Sequence, residues 1–196
     1  MMDLLVATHN AGKLREFEEI LSRYAVVVRA LPENSLAPVE NSETLYGNAL
    51  IKAQSAFETF HLPCVADDSG LFVDELEFAP GVHSARFAGL DADDAKNRNL
   101  LLEKMASVAP SRRAASFRCV ICLIVPDRFL EPQFYLGVLL GTIAQEPRGN
   151  MGFGYDSIFI PSEGDGRTFA EMAPSEKNAI SHRARALWAL AAALAN

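Results

Sequence analysis

A length of 196 residues suits one domain with a sizeable hydrophobic core, and we predict a single domain over residues 1–196. Hydrophobic residues make up 49% of the chain and charged residues 22%, which is typical of globular proteins and excludes a long disordered tail. Acidic residues outnumber basic residues 25 to 18, so the formal net charge is −7. Because nucleic-acid binding usually needs a basic face, we expect no nucleic-acid partner, although a local basic pocket for a small anion is compatible with this charge.

The apolar segments of the chain are short. The opening sequence MMDLLVATHN has four apolar residues in a row and no basic residue before them, which predicts no signal peptide. The apolar run CVICLIV is far shorter than the ~20 residues that a membrane-spanning helix needs. We therefore expect a cytoplasmic protein with no membrane association.

Three cysteines are present, at Cys64, Cys119 and Cys122. The last two form a C-x-x-C pattern inside the apolar, β-branched run SFRCVICLIV, where positions three apart face opposite sides of a strand. No second cysteine pair follows, and the four histidines lack zinc-ligand spacing. We predict reduced cysteines buried in strands, and we expect no zinc.

The first third of the chain alternates strands with helices. Apolar runs predict strands, and apolar residues at helical spacing predict helices. The strands are predicted over residues 3–7, 25–31 and 62–66, and the helices over residues 13–24 and Thr44–Phe60. The segment PENSLAPVENS is rich in turn formers and is predicted to be a surface loop.

The remainder adds a pair of long strands. A short extended piece (71–76) and an irregular segment (79–89) precede a helix predicted over Asp91–Val108. The runs SFRCVICLIVP and QFYLGVLLGTIAQ then predict an antiparallel hairpin. A glycine-rich loop, a short strand SIFIP and a final helix rich in Ala and Leu complete the chain. This order predicts an α/β fold with a mixed central sheet that contains the long hairpin and is flanked by helices.

The segment ATHNAGK lies between the first strand and the first helix. A helix N-terminus presents backbone N–H groups and the positive end of the helix dipole, and Lys13 adds a full charge, so the segment suits a phosphate group. It is not a P-loop, because Leu14 stands where a P-loop has Ser or Thr. The alternative is an ordinary strand–helix turn with a solvated lysine.

Two further polar groups precede the middle of the chain. Asn48 and Lys52 lie four residues apart on one helix face, and with Glu40 they suit either a metal–phosphate site or an exposed polar surface. Asp67 and Asp68 open the sequence DDSG, which suits either Mg²⁺ binding at a strand end or a plain turn.

Two segments near the C-terminus carry aromatic and basic side chains. In GNMGFGYD, Phe153 and Tyr155 are able to stack on a base, with Asp156 as a hydrogen-bond acceptor. In EKNAISHRA, Ser181 is a plausible N-cap that places His182 and the following arginine on the first turn of the last helix. A flexible loop and a solvated cationic helix start are the alternatives.

The order of these segments is more specific than any one of them. ATHNAGK, NALIKA, ADDSGL, PGVHSAR, FGYDSIF and EKNAISHRARAL follow one another between Ala7 and Leu187. In this order they resemble the inosine triphosphatase family, and the combination of ADDSG with SHR is the most specific part. The resemblance implies a substrate cleft between two lobes, a homodimer, and Mg²⁺-dependent hydrolysis of ITP, dITP and XTP to the monophosphate and pyrophosphate, which cleanses the nucleotide pool.

The resemblance also implies roles for individual residues. The residues expected to hold the triphosphate are Thr8, His9, Asn10, Ala11, Gly12, Lys13 and Lys52. Glu40 and Asp68 are expected to be metal ligands, and Ser69 is expected to contact the substrate. Asp68 is also expected to be the general base for the attack of water on the α-phosphorus. Those expected at the base are Phe153, Gly154, Tyr155 and Asp156 as a clamp and Lys177, His182 and Arg183 as readers of its edge.

Neighbouring aspartates on a strand point to opposite faces, so they cannot both enter one cleft if the strand persists. The resemblance selects Asp68 as the working carboxylate. Asp67 is predicted to be structural, either accepting backbone N–H bonds or pairing with a nearby lysine.

The sequence departs from the family pattern at several positions. Gly47 stands where an acidic residue is usual before Asn-Ala. The pair Asn41 and Ser42 follows Glu40, where the family usually has Thr-Gly. His9 replaces a smaller residue, and Ser157 replaces a proline. Two rival functions stay open: a Maf-like nucleotide pyrophosphatase with another base preference, and a nucleotide-binding module without catalysis.

Overall fold

The computed structural model of the chain describes residues 2–91 and 93–195. Positions 1, 92 and 196 lie outside the described residues; they include both ends of the predicted domain and one residue of the helix predicted over Asp91–Val108. The strands are β1 (Met2–Val6), β2 (Val26–Ala30), β3 (Cys64–Val73), β4 (Pro80–Gly81), β5 (Ala114–Ile124), β6 (Gln133–Ile143) and β7 (Phe159–Pro161). The α-helices are α1 (Ala11–Leu21), α2 (Leu45–Phe60), α3 (Asp94–Lys104), α4 (Pro174–Asn178) and α5 (His182–Ala195).

The strands form one mixed sheet in the order β2-β1-β3-β5-β6-β7, with β4 paired to β3. Strand β1 runs parallel to β2 and β3, whereas β4 is antiparallel to β3 and β7 is antiparallel to β6. The long strands β5 and β6 are neighbours in the sheet, as the predicted hairpin requires. The prediction of a mixed α/β sheet flanked by helices is therefore confirmed.

The described chain divides into two compact units, and strands β3, β5 and β6 run through both of them. The first unit comprises residues 2–68, 119–137 and 183–195. Its core joins β1, α1, β5 and α5 through buried side chains such as Leu4, Phe17, Ile121 and Leu187. Helix α1 belongs to this unit because its apolar residues recur at helical spacing and so form one buried face.

The second unit comprises residues 69–91, 93–118 and 138–182. Its core is rich in aromatic rings, including Phe117, Phe159 and Phe169, which contact one another. The short strands β4 and β7 and the helices α3 and α4 also belong to this unit. The interpretation of the chain as one domain and the cleft implied by the family resemblance stay predictions.

Two sequence-based predictions need correction. The segment DDSG is neither a turn nor a strand end, because β3 continues without interruption from Cys64 to Val73. The helix predicted over Asp91–Val108 is shorter, since α3 begins after the N-cap Asp93 and ends at Lys104. Helix α2 agrees with its prediction, and Thr44 is its N-cap. The three cysteines are buried in β3 and β5 without a disulfide, as predicted. Within the described ranges, no helix is both long enough and apolar enough to cross a membrane.

Candidate active site

Asp67 and Asp68 are both buried in β3, with only 2% and 7% of their surfaces exposed. Because the strand continues through them, the two side chains leave it on opposite faces and meet different partners. The Asp67 carboxylate lies 3.0 Å from the Lys13 ammonium and 3.2 Å from Nε of Arg183. The prediction that Asp67 pairs with a nearby lysine is therefore confirmed.

The two cations decide the ionisation of Asp67. Burial alone would raise the pKa of this carboxyl, but the charges of Lys13 and Arg183 outweigh it and hold the pKa well below its ordinary value. Arg183 is itself buried and also donates to Glu16 of α1. Burial lowers the pKa of the guanidinium, but the charges of Glu16 and Asp67 outweigh this effect and raise the pKa above its ordinary value. Arg183 therefore stays protonated. Asp67 is therefore ionised at neutral pH and contacts two cations.

Asp68 has a different environment. Its Oδ1 lies 3.2 Å from Nζ of Lys52, and its Oδ2 accepts a hydrogen bond of 3.2 Å from the Asn48 amide. Burial is the largest influence and raises the pKa of Asp68, with further raising by Glu40 and Asp67, whereas Lys52 and Lys13 oppose it. A carboxylate with a raised pKa binds a proton more readily, which is the property required of a general base.

Helix α2 supplies both partners of Asp68 because Asn48 and Lys52 lie one turn apart on the same face. The Asn48 carbonyl oxygen accepts from the backbone N–H of Ser42, so this side chain joins the preceding loop to the aspartate. The Lys52 ammonium also lies 3.2 Å from a carboxylate oxygen of Glu40. Burial lowers the pKa of Lys52, but Asp68, Asp67 and Glu40 raise it above its ordinary value. The structure therefore brings together the predicted residues Glu40, Lys52 and Asp68.

A divalent cation fits the chemistry of this cluster. Glu40 and Asp68 are two carboxylates on one ammonium group, and hard oxygen ligands of this kind suit Mg²⁺. Across residues 2–91 and 93–195, no group of three or more His, Cys, Asp or Glu side chains is arranged to hold a metal ion. A two-carboxylate site still suits Mg²⁺, which usually keeps several waters and is completed by substrate phosphates.

The segment from Thr8 to Lys13 comprises the turn into α1 and the first residues of that helix. The Asn10 side chain caps the helix by accepting from the backbone N–H of Lys13 at 3.0 Å, and Thr8 Oγ1 accepts from the backbone N–H of Asn10 at 3.2 Å. His9 Nε2 lies 2.9 Å from the Ser35 carbonyl oxygen. Ala11 and Gly12 are the first residues of the helix, so their N–H groups point out of its N-terminus. This geometry suits an anion, as the sequence predicted.

A second group of predicted residues surrounds the aromatic loop, which we define as residues 149–156. Asp156 Oδ2 accepts from the backbone N–H of Phe153 at 2.9 Å and lies 2.7 Å from Nζ of Lys177. The Lys177 ammonium also lies 4.6 Å from the centre of the Phe153 ring. Lys177 and Asp156 are buried, with 6% and 4% of their surfaces exposed, so the ring, the cation and the anion form a fixed group.

A cavity of about 730 Å³ opens beside the aromatic loop and is lined by Phe153, Gly154 and Asp156. Gly152 allows the loop to fold tightly, because its φ of 77° is in the left-handed region and an added Cβ would lie 2.0 Å from the Asp156 carboxylate. Tyr155 has another place: its ring is in the core of the second unit, and its hydroxyl donates to the Ser84 carbonyl oxygen at 2.8 Å.

His182 and Arg183 are neighbours in sequence but belong to different units. The His182 ring is buried and stacks on Phe117 of the second unit, with ring centres 4.6 Å apart. The Arg183 side chain contacts Glu16 and Asp67, in the first unit. Its role in reading the base therefore stays a prediction, whereas its role in the aspartate cluster is visible. Ser69 follows Asp68 on β3, and its substrate contact likewise stays a prediction.

Sequence reasoning missed three residues of these clusters. Glu16 borders the buried face of α1, where it looks like an ordinary surface residue at the edge of an apolar stripe. Asp94 and Arg98 of α3 both bond to Gly154 of the aromatic loop. Their spacing of four residues is typical of an exposed helical ion pair, so no sequence signal pointed to the loop.

Comparison with known proteins agrees with the motif order. The model of the Ham1 family matches residues 4–193. A protein of Geobacillus kaustophilus named dITP/XTP pyrophosphatase is 44% identical over 190 residues, which cover 95% of this chain and 91% of that protein. A protein of Escherichia coli O157:H7 with the same name is 43% identical and is covered completely, as is this chain.

Solved structures show the same similarity. The structure of a HAM1 protein from Coxiella burnetii matches with a TM-score of 0.88 and 42% identity, covering 100% of this chain and 99% of that one. The resemblance inferred from the order of motifs is thereby confirmed at the level of the family and of the fold.

Proposed function

This chain belongs to the Ham1 family, and on that premise we propose that it hydrolyses deaminated purine nucleoside triphosphates, namely ITP, dITP and XTP, to the monophosphate and pyrophosphate. The names of the relatives support the reaction and the substrate class. The observation that carries the proposal is Asp68, a buried carboxylate with a raised pKa that is held between Lys52 and Asn48.

Asp68 is the general base of this reaction. It accepts the proton of a water molecule that attacks the α-phosphorus, and pyrophosphate leaves. Lys52 keeps the carboxylate in position and lowers its pKa, which offsets part of the effect of burial. Asn48 fixes the other oxygen, so the proton-accepting atom has one orientation.

Glu40 and Asp68 would hold Mg²⁺, and the two carboxylates that share the Lys52 ammonium support this assignment. The bound ion would neutralise negative charge on the phosphate oxygens. Lys13 binds the triphosphate through its ammonium, and the segment from Thr8 to Gly12, which leads into α1 and begins it, adds backbone N–H groups. Asp67 holds that ammonium at 3.0 Å, so the charge is positioned before the substrate binds.

The purine base binds at the aromatic loop. Phe153 provides a ring for stacking, and Lys177 and His182 provide hydrogen-bond donors for the base edge. A deaminated purine presents an oxygen acceptor at the position where adenine presents an amino donor. A site built around such a bond can reject the wrong partner by ~10⁴-fold or more, so adenine nucleotides are poor substrates.

The enzyme is further proposed to act as a homodimer in the cytoplasm. The family resemblance supports the dimer. A mass measurement in solution tests the dimer, since a monomer at micromolar concentration would contradict it.

The cysteines support the cytoplasm, where thiols are kept reduced. Burial raises the pKa of the Cys64 and Cys122 thiols to about 12, which suits cysteines that remain reduced.

Replacement of the base tests the assignment of Asp68. The variant Asp68→Asn keeps the shape of the side chain but cannot accept a proton, so kcat for dITP should fall by about 10²-fold or more. Calorimetry should still show dITP binding, because the phosphate and base contacts remain. Asp74→Asn is the matched control, since Asp74 is an exposed aspartate directly after the same strand. Retained turnover in Asp68→Asn would contradict the assignment.

A further inference from the structure

Two side chains of helix α3 hold the same glycine of the aromatic loop. Asp94 Oδ2 accepts a hydrogen bond of 2.6 Å from the backbone N–H of Gly154. Arg98 Nη1 donates a hydrogen bond of 2.7 Å to the carbonyl oxygen of Gly154. Asp94 and Arg98 are four residues apart, so they lie on one face of α3, and both line the cavity beside the loop.

The two bonds fix the two peptide groups that flank Gly154. Its N–H belongs to the peptide that links it to Phe153, and its carbonyl oxygen belongs to the peptide that links it to Tyr155. The φ of Gly154 is 58°, and an added Cβ would meet no atom within 4 Å, so the side of this residue where a side chain would lie is open. Charged side chains make stronger hydrogen bonds to the backbone than neutral ones do. Asp94 and Arg98 therefore restrain the backbone of Gly154 on both sides of the residue.

We propose that Asp94 and Arg98 are positioning residues that hold the aromatic loop in the conformation that binds the base. The inference rests on the proposed function, because it concerns the base-binding loop of the same site. Phe153 is attached directly to the peptide that Asp94 holds, so the orientation of its ring depends on that peptide. On its other side, the backbone N–H of Phe153 is bonded to Asp156, which in turn contacts Lys177.

Loss of either restraint leaves a glycine-rich loop with more conformations in the free enzyme. Gly149, Gly152 and Gly154 all have positive φ, and glycines of this kind lose more conformational entropy on ordering than other residues. The substrate would then have to order the loop when it binds, which weakens binding without changing the groups that carry out the chemistry. A higher KM for dITP with an unchanged kcat is the expected result.

Single substitutions test this inference. Asp94→Ala and Arg98→Ala should each raise the KM for dITP by about tenfold while kcat stays within about twofold, given the strength of charge-assisted hydrogen bonds. Asp94→Asn keeps an acceptor oxygen and Arg98→Lys keeps a donor, so both should restore most of the affinity. Lys96→Ala is the matched control, because Lys96 is exposed on the same helix and its side chain makes none of the described hydrogen bonds or ion pairs.

A purely structural role of Asp94 and Arg98 would lower the melting temperature of the alanine variants. We expect no such loss, because Asp93, not Asp94, caps α3, and both variants should melt within a few degrees of the wild type. An unchanged KM in both alanine variants, or an equal rise in Lys96→Ala, would overturn the inference while pyrophosphate release by the wild type still supports the proposed function. A wild-type enzyme that releases no pyrophosphate from dITP would overturn the proposed function itself.

Discussion

Gly47 lies so close to Ser42 that replacing this helical glycine by alanine should destabilise the protein, whereas such a replacement usually stabilises a helix. Gly47 is in the first turn of α2, and a Cβ on it would lie 2.0 Å from Ser42 Oγ and 2.6 Å from Ser42 Cβ. Rotation of the serine hydroxyl relieves only the first contact, so the backbone must move as well. The backbone N–H of Ser42 is bonded to Asn48, which is bonded to Asp68. The strain would therefore reach the proposed general base.

The magnitude follows from two opposing effects. Replacing a helical glycine by alanine stabilises a protein by at most about 1 kcal/mol, and by less in a first turn. Inserting a methyl group into filled space costs typically 1–3 kcal/mol, roughly the range expected for this contact. We therefore expect Gly47→Ala to lower the free energy of unfolding by about 1–2 kcal/mol. When residue 42 is glycine, the contact is absent and the same substitution should stabilise the protein by up to about 1 kcal/mol.

A double-mutant cycle measures this coupling. The four proteins are the wild type, Gly47→Ala, Ser42→Gly and the double variant, and urea unfolding gives the free energy of each. The expected coupling energy is about 2 kcal/mol, in the range found for residues in direct contact. An equal effect of Gly47→Ala in both backgrounds would refute the reasoning. A reversal of sign would show that two departures from the family pattern compensate for each other.

Two further predictions concern the other buried charges. Asp67→Asn should lower the free energy of unfolding at pH 7 by about 3 kcal/mol, because it removes a partner of the buried Arg183. The folded-state pKa of Asp67 is lowered, so its stabilisation is fully present above the ordinary pKa and declines as the pH falls from that value toward the lowered folded-state pKa. Urea unfolding that gives the same difference between variant and wild type at about pH 7 and pH 3 would contradict this assignment. Lys177→Gln removes a charged donor beside Phe153. It should lower kcat/KM for dITP by about tenfold or more, while kcat/KM for dATP changes little. Equal losses for both nucleotides, measured as initial rates, would show that Lys177 does not read the base.

The sequence allowed most of the secondary structure to be predicted, because α1, α2 and the long strands have clear apolar periodicity. It failed at DDSG, where Asp, Ser and Gly favour turns but β3 continues. Gly70 has another reason to be glycine: an added Cβ would lie 2.3 Å from the carbonyl oxygen of Gly81 on the paired strand β4. Close approach of two backbones depends on strand pairing, which local residue preferences do not reveal.

The candidate site was predictable to a similar degree. The order of the motifs indicated Lys13, Lys52 and Asp68, and the structure gives each of them a charged partner. His182 belongs to the second unit and Arg183 to the first. This difference could not be predicted from the sequence, because it depends on the tertiary packing around the start of α5. The contacts of α3 with the aromatic loop join residues about 60 positions apart, and their sequence spacing is that of ordinary surface charges.

The products released from a panel of nucleotides test the central claim most directly. The panel contains dITP, XTP, dATP, dGTP, dTTP and UTP with Mg²⁺, and pyrophosphate is measured separately from phosphate. We expect rapid release of pyrophosphate from dITP and XTP, with far slower turnover of dATP, dTTP and UTP. Turnover of dITP no faster than that of dTTP or UTP would contradict the purine assignment and favour a Maf-like preference. Binding of dITP without any release of pyrophosphate would contradict the enzymatic function.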